Sequence, residues 1–210
     1  MKYRINKSLA FLFVAVTFVL SFSSCLNTDN PYDEYNTWFV QNETYFNSKV
    51  KAYQDSAALF PNDFVVDSIP QNQGGGVILY KYIVKGKGTD KPYFNSKVKT
   101  YYTGKRLKDG SDAYSDMITF DTTFKITSQP GSNPAVPLTY DEMKLYNSPA
   151  TFEVNKVIKG WTYLLQQMVV GDRVRVTIPW YLAYGANASG SIPPFSTLMF
   201  DVELVEIINP

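Results

Sequence analysis

The sequence predicts an α+β protein, in which an antiparallel sheet of five to six strands curls around one short helix and an N-terminal helix precedes them. Three observations support this prediction. Segments rich in β-branched and aromatic residues recur from residue 77 onward, a short helical segment follows Gly160, and a longer stretch with helical spacing lies before both. The length of 210 residues suits one globular domain with a small addition.

The N-terminal helix is predicted over residues 36–58, followed by a connector over 59–75. Its apolar stripe, with spacings of three, four and seven residues, consists of Phe39, Phe46, Val50, Tyr53 and Ala57. This stripe can pack on the main domain, or on a second copy of the chain in a homodimer, and the sequence leaves both open. The connector contains prolines and runs into three consecutive glycines, which indicates a domain boundary.

The strands of the main domain, residues 76–210, are predicted from composition and alternation. The strand segments are VILYKYIV (77–84), VKTYYTG (98–104), which ends at a glycine, TFEV (151–154), RVRVTIP (173–179) and STLMFDVELVEII (196–208). In the fourth segment, Val174, Val176 and Ile178 alternate with polar residues, as in a strand that is buried on one face. The short helix is predicted over 161–168.

Composition excludes several classes of function. A net charge of +1 provides no basic surface for a phosphate backbone, so no nucleic-acid partner is expected. The chain has no histidine, which removes Ser-His and Cys-His nucleophile pairs and the commonest zinc ligand. Its single cysteine rules out an internal disulfide. Any function must therefore use carboxylates, hydroxyls, aromatic surfaces or the backbone.

Residues 1–24 have the pattern of a signal peptide. A cationic start is followed by an apolar stretch over 9–20, which is too short for a permanent transmembrane helix. Cys25 directly follows Ser23-Ser24, and this arrangement resembles the lipobox of bacterial lipoproteins, in which the cysteine is acylated. Phe22 stands where that motif usually has leucine. An ordinary secretory signal or an uncleaved anchor remains the alternative.

Residues 25–35 are polar and acidic, which is typical of a tether that holds a domain away from a membrane. Together with the lipobox, they predict a protein of the bacterial cell envelope that is bound to a membrane by lipid on Cys25. The outer membrane is the expected membrane, and the domain would lie on its periplasmic or its surface face.

Several motifs in the second half of the chain resemble those of FKBP-type peptidyl-prolyl cis-trans isomerases, and they occur in the family's order. These motifs are YTG (102–104), FD (120–121), VIKGW (157–161), RVRVTIP (173–179), LAYG (182–185), IPP (192–194) and LMFDVEL (198–204). The resemblance covers about residues 76–208, and ATFEVNKVIKGW (150–161) is similar to the macrophage infectivity potentiator branch. It implies an FKBP-like fold that acts on proline-containing polypeptides without a cofactor or metal.

The resemblance also implies a binding bowl for the proline ring. The residues expected to perform catalysis are Tyr102, Phe120, Asp121, Trp161, Tyr184 and Phe200. Trp161 would form the floor, and Asp121 would act electrostatically rather than as an acid or base. The residues expected to bind substrate are Phe152, Val157, Ile158 and Ile192. The backbone N–H of Ile158 would donate to a substrate carbonyl, and Ile192 would close the opposite side.

Two insertions distinguish the chain from compact members of the family, at about residues 111–119 and 124–150. In the family's topology both flank the bowl, where they could form a lid, a partner surface or an obstruction. Two other functions therefore stay open beside isomerisation. One is an FKBP-fold binding or chaperone module with little catalysis, and the other is an envelope lipoprotein whose aromatic surface binds glycans.

Overall fold

The computed structural model describes residues 35–109 and 116–209. Its helices are α1 (Asn36–Leu59), α2 (Tyr140–Tyr146) and α3 (Lys159–Leu165), and its strands are β1 (Phe64–Ile69), β2 (Gly76–Val84), β3 (Lys97–Leu107), β4 (Met117–Thr122), β5 (Ala150–Glu153), β6 (Arg173–Ile178) and β7 (Leu198–Asn209). The predicted signal peptide, Cys25 and the tether as far as residue 34 lie outside the described residues, as does 111–115 of the first insertion. None of the helices in the described part of the chain combines the length and apolarity of a bilayer-spanning segment.

The strands form one antiparallel sheet, which confirms the α+β class. Their order is β1-β2-β6-β7-β3-β4, and β5 pairs with the first residues of β3. Strand β3 is central because it pairs with β7 along one edge and with β5 and β4 along the other. It continues past Gly104, where the sequence predicted its end, to Leu107.

The segment predicted as a connector contributes a seventh strand. Residues Phe64–Ile69 form β1 and pair antiparallel with β2, from Phe64 opposite Lys81 to Ile69 opposite Gly76. The three glycines that follow have positive φ angles, between 64° and 112°, which lets the chain reverse tightly into β2. The sequence FVVDSI has strand composition, but the prolines on either side of it favoured a loop.

The main core lies on the face of the sheet that packs against α3, here called the inner face. Leu164 and Leu165 of the helix are fully buried against Val176, Val202 and Leu204 of the sheet. Val176 belongs to the predicted alternation, and the sequence neighbours of these strand residues point to the opposite, outer face. The predicted packing of one short helix on the sheet is therefore observed.

Helix α1 packs on the outer face of the same chain's sheet. Phe46 and Tyr53 contact Leu79, and near the start of the helix Trp38 donates a hydrogen bond from Nε1 to Ser196 Oγ at 3.2 Å. These aromatic residues of α1 therefore pack against the sheet of the same chain. Of the two packings that the sequence left open for this stripe, the structure has the one on the main domain of the same chain.

The second insertion, residues 124–150, also lies on the outer face. The Arg173 guanidinium stacks over the Tyr140 ring at 3.4 Å, and Lys144 forms an ion pair of 2.9 Å with Glu203. A capping box between Thr139 and Glu142 starts α2. The insertion therefore extends the packing of the outer face.

The docking of α1 depends on Asn42, which is fully buried. Its Oδ1 accepts from the Thr197 N–H at 2.8 Å, and its Nδ2 donates to the Trp38 carbonyl at 2.8 Å. We expect Asn42→Ala to lower the free energy of unfolding by about 1–3 kcal/mol, because the buried Thr197 N–H loses its acceptor. Urea unfolding of the full chain measures this change.

The matched control is Asn47→Ala, which removes an exposed asparagine from the same helix. We expect this variant to change the free energy of unfolding by less than about 0.5 kcal/mol. Equal losses in the two variants would contradict the docking described for α1.

Candidate active site

A cavity of about 260 Å³, here called the bowl, opens on the inner face beside the start of α3. Its lining residues are Tyr102, Phe120, Asp121, Phe152, Lys156, Val157, Ile158, Trp161, Tyr184 and Phe200. The structure thus brings together every predicted site residue of the main domain except Ile192, and it adds Lys156. The lining includes no residue of the 124–150 insertion, although Lys125 Nζ lies 4.0 Å from Asp121 Oδ1 at the edge of the bowl.

Trp161 is the base of an aromatic cluster. Its indole is 3% exposed and meets three rings edge-on, with centroid distances of 5.4 Å to Tyr102, 5.5 Å to Phe152 and 5.2 Å to Phe200. Phe120 meets Phe200 edge-on at 5.6 Å. Edge-to-face pairs each contribute about 0.5–1.5 kcal/mol beyond burial, so these contacts hold the walls in place.

Two glycines let these rings come together. Gly104 lies in β3 opposite Phe200, and a Cβ there would come within 2.6 Å of Phe120 and 2.7 Å of Phe200. Gly160 lies directly before Trp161, where a Cβ would come within 2.5 Å of Ile178 Cγ2. The first glycine makes room for the walls, and the second lets α3 approach the sheet.

Tyr102 and Asp121 form the polar edge of the bowl. The Tyr102 hydroxyl donates to Asp121 Oδ2, and Asp121 Oδ1 accepts from the Thr122 N–H at 2.8 Å. Burial raises the pKa of Tyr102, and the hydrogen bond and negative charge of Asp121 raise this pKa further. Tyr102 therefore stays protonated at neutral pH and keeps Asp121 in a fixed position.

Two donors at the rim have no acceptor within the described residues. Tyr184 is 38% exposed, and its hydroxyl makes no hydrogen bond to the residues that the structure describes. The backbone N–H of Ile158, just before α3, likewise has no acceptor within 35–109 and 116–209. Both groups can therefore bind the carbonyl oxygens of a peptide that lies in the bowl.

The bowl offers noncovalent chemistry. Its walls are aromatic and aliphatic, and its polar groups include one carboxylate, one ammonium, two phenols, the Trp161 indole N–H and the Ile158 backbone N–H. Within the described residues, no group of three or more histidine, cysteine, aspartate or glutamate side chains could hold a metal ion.

A model of the FKBP-type peptidyl-prolyl cis-trans isomerase family matches residues 88–205, which is more than half of the chain. The chain belongs to this family. The match contains all the residues that line the bowl, so the family resemblance predicted from the motifs is confirmed.

Curated relatives include members of the predicted branch. The chain is 37% identical over 131 residues to a macrophage infectivity potentiator from Trypanosoma cruzi, covering 62% of this chain and 53% of that protein. It is 37% identical over 132 residues to an FKBP-type 22 kDa peptidyl-prolyl cis-trans isomerase from Escherichia coli, covering 62% and 50%. The chain thus spans about half the length of these two relatives.

A crystal structure of a peptidyl-prolyl cis-trans isomerase from Pseudomonas syringae pv. tomato also matches. Its TM-score is 0.49 at 26% identity, and the match covers 86% of this chain and 98% of that one.

Ile192 is the predicted site residue that is not among those lining the bowl. It is 4% exposed and belongs to the same buried cluster as Trp161 and Phe200. Ile192 and Ser189 exchange two backbone hydrogen bonds of 2.9 Å across a turn that contains Gly190 with φ +57°. Its side chain is thus part of the core that supports the bowl.

The sequence reasoning missed Lys156 and the role of Gly104. Lys156 is exposed beside Val157 and has no ion-pair partner among the described residues. Lys156 directly precedes the VIKGW motif, and this position could have indicated that it lies at the bowl. Gly104 was interpreted as the end of a strand, because its closeness to two rings depends on a strand far away in the sequence.

The raised pKa of Tyr102 gives a pH prediction. Asp121→Asn removes the negative charge, so we expect the pKa of Tyr102 to fall while staying above the ordinary tyrosine value near 10, because burial, the larger cause, remains. In the variant, the Tyr102 phenol would therefore ionise at lower pH than in the wild type. The Cζ chemical shift of ¹³C-labelled tyrosine, assigned with Tyr102→Phe, measures this titration.

Tyr163 is the internal control for that titration. Its pKa is raised by burial and by Asp67, and Asp121 is not among the causes. We expect Tyr163 to titrate identically in both proteins. An unchanged Tyr102 titration in Asp121→Asn would contradict the hydrogen bond between these side chains.

Proposed function

We propose that this protein accelerates cis-trans rotation about X-Pro bonds in exported polypeptides. One observation carries the proposal: the aromatic bowl has a buried Trp161 as its floor and two donors at its rim, Tyr184 and Ile158, whose polar hydrogens are not used within the described chain. Rotation about the X-Pro bond must cross a barrier of about 18–20 kcal/mol. It requires neither proton transfer nor a covalent intermediate.

The bowl favours the twisted amide over the planar one. Rotation removes the conjugation between nitrogen and carbonyl and makes the amide less polar, so an apolar and water-poor site stabilises the twisted form. Trp161 holds the proline ring from below, and Phe152 and Phe200 confine it. Tyr184 and Ile158 donate to carbonyls of the substrate, which fixes the peptide on either side of the rotating bond.

Asp121 acts through its charge and through Tyr102. Its carboxylate is fixed by the Tyr102 hydroxyl and the Thr122 N–H. A fixed carboxylate sets the local electrostatic field beside the rotating amide without exchanging a proton. This role accords with the absence of histidine from the chain.

The test is the rate of cis-trans exchange of a short X-Pro peptide, followed by NMR with the full chain in detergent. We expect Tyr184→Phe to lower kcat/KM roughly two- to tenfold, because it removes one hydrogen bond to the transition state. Trp161→Ala should lower it further. Since Trp161 is buried and its truncation typically costs about 3–5 kcal/mol, circular dichroism must show that this variant is folded.

Tyr181→Phe is the matched control. Tyr181 is 39% exposed, close to the 38% of Tyr184, and does not line the bowl. We expect this variant to keep the wild-type rate. If the folded wild type does not accelerate exchange at all, the isomerase proposal fails, and the alternative of a binding or chaperone module with little catalysis takes its place.

We further propose that the domain is anchored in the bacterial cell envelope by lipid on Cys25. The support is the order of a cationic start, an apolar stretch and a lone cysteine after two serines. An acyl anchor on Cys25 would hold the domain at a membrane. Exported chains with exposed X-Pro bonds would then be its substrates.

Expression in a bacterial host with radiolabelled fatty acid tests the anchor. We expect label and membrane fractionation in the wild type and loss of both in Cys25→Ser, because the chain has no other cysteine to acylate. Phe22→Leu, which restores the usual lipobox residue, should speed processing. Equal labelling of wild type and Cys25→Ser would overturn the anchor.

A further inference from the structure

A second depression adjoins the bowl and has no part in the function proposed so far. This depression, here called the amide groove, has a volume of about 660 Å³ and lies between α3, the 3₁₀ helix Gln71–Gln73 and the loop that carries Phe94. Val157 lines both the groove and the bowl. The two cavities therefore meet at this residue.

The polar lining of the amide groove suits a peptide backbone. Asn72, Gln73 and Asn155 line it, and their carboxamides make no hydrogen bonds to the residues that the structure describes. Each carboxamide presents donors and an acceptor, the same groups as a peptide unit. Three such side chains around one depression can pair with successive N–H and C=O groups of an extended chain.

The apolar lining suits a side chain of that peptide. Phe94 is 59% exposed and faces the groove, where Tyr163 also contributes its ring. The Tyr163 hydroxyl donates to Asp67 Oδ1 at 3.2 Å, which holds that ring in place. An aromatic residue left this exposed gains by covering its surface with a ligand.

We propose that the amide groove binds the segment of the client polypeptide that flanks the proline, on one side of the X-Pro bond. The proposal rests on the isomerase function proposed above. Because Val157 lines both cavities, an extended chain that leaves the bowl over this residue reaches the groove. Contacts away from the rotating bond then raise the affinity for long, unfolded clients. Short peptides cannot make these contacts.

The experiment compares three peptides with the full chain in detergent. One contains little more than the X-Pro bond, and the other two are extended on the N-terminal or C-terminal side by about six residues, or about 20 Å. We expect kcat/KM of the wild type to rise roughly three- to tenfold for one of the two extended peptides. Phe94→Ala and Asn155→Leu should remove that gain and leave the short peptide unaffected.

Tyr93→Ala is the matched control. Tyr93 is 65% exposed beside Phe94 but does not line the groove, so this variant should keep the gain. The proposal is overturned if the extended peptides are isomerised no better than the short one. It is also overturned if Phe94→Ala lowers the rates of all three peptides alike, or if Tyr93→Ala removes the gain as well.

A binding measurement separates this proposal from the isomerase proposal. Fluorescence anisotropy of the labelled extended peptides gives Kd without any catalysis. If the wild type does not accelerate exchange, the isomerase proposal fails, and the groove is judged by Kd alone. The groove proposal is supported if Phe94→Ala raises Kd at least roughly threefold and Tyr93→Ala leaves it unchanged. The groove proposal is overturned if Phe94→Ala leaves Kd unchanged.

Discussion

The burial of Trp161 against the inner face of the sheet is the contact on which the rest of the structure depends. The indole can meet Tyr102, Phe152 and Phe200 edge-on only if α3 lies very close to the strands. Gly160 permits this approach, because any side chain there would collide with Ile178. The helix thus provides the floor of the bowl and the sheet provides its walls, so the distance between them sets the shape of the cavity.

The two faces of the sheet serve different purposes. The outer face carries α1 and the 124–150 insertion, through contacts such as Phe46 with Leu79 and Lys144 with Glu203. These additions bury surface on the outer face. The chain therefore gains packing from both segments while the bowl stays open to a ligand.

Hydrogen bonding divides the polar groups near the bowl into two sets. Tyr102 and Asp121 satisfy each other and are fixed. Tyr184, the Ile158 N–H and the carboxamides of the amide groove have no partners among the described residues. These side chains are exposed at the surface, so their donors and acceptors are available to the backbone of a peptide that lies there.

Features that depend on neighbours along the chain could be predicted from the sequence. The alternation of Val174, Val176 and Ile178 predicted a strand buried on one face, and the spacing of aromatic residues after residue 36 predicted α1. The family motifs predicted almost all of the residues that line the bowl, because each motif can be located directly in the sequence. Trp161 and Asp121 were found in this way.

The features that the sequence did not predict depend on partners far apart in the chain. The segment Phe64–Ile69 is a strand because it pairs with the edge of β2. Gly104 is required because the rings of Phe120 and Phe200 leave no room for a Cβ there. Ile192 is buried in the core beneath the bowl, and the sequence around it does not show how far its side chain is from the lining. By itself the sequence determined the periodic elements, the family and most of the site residues. Only the tertiary structure decided which face each addition covers and which polar groups stay unpaired, because both depend on contacts between distant segments.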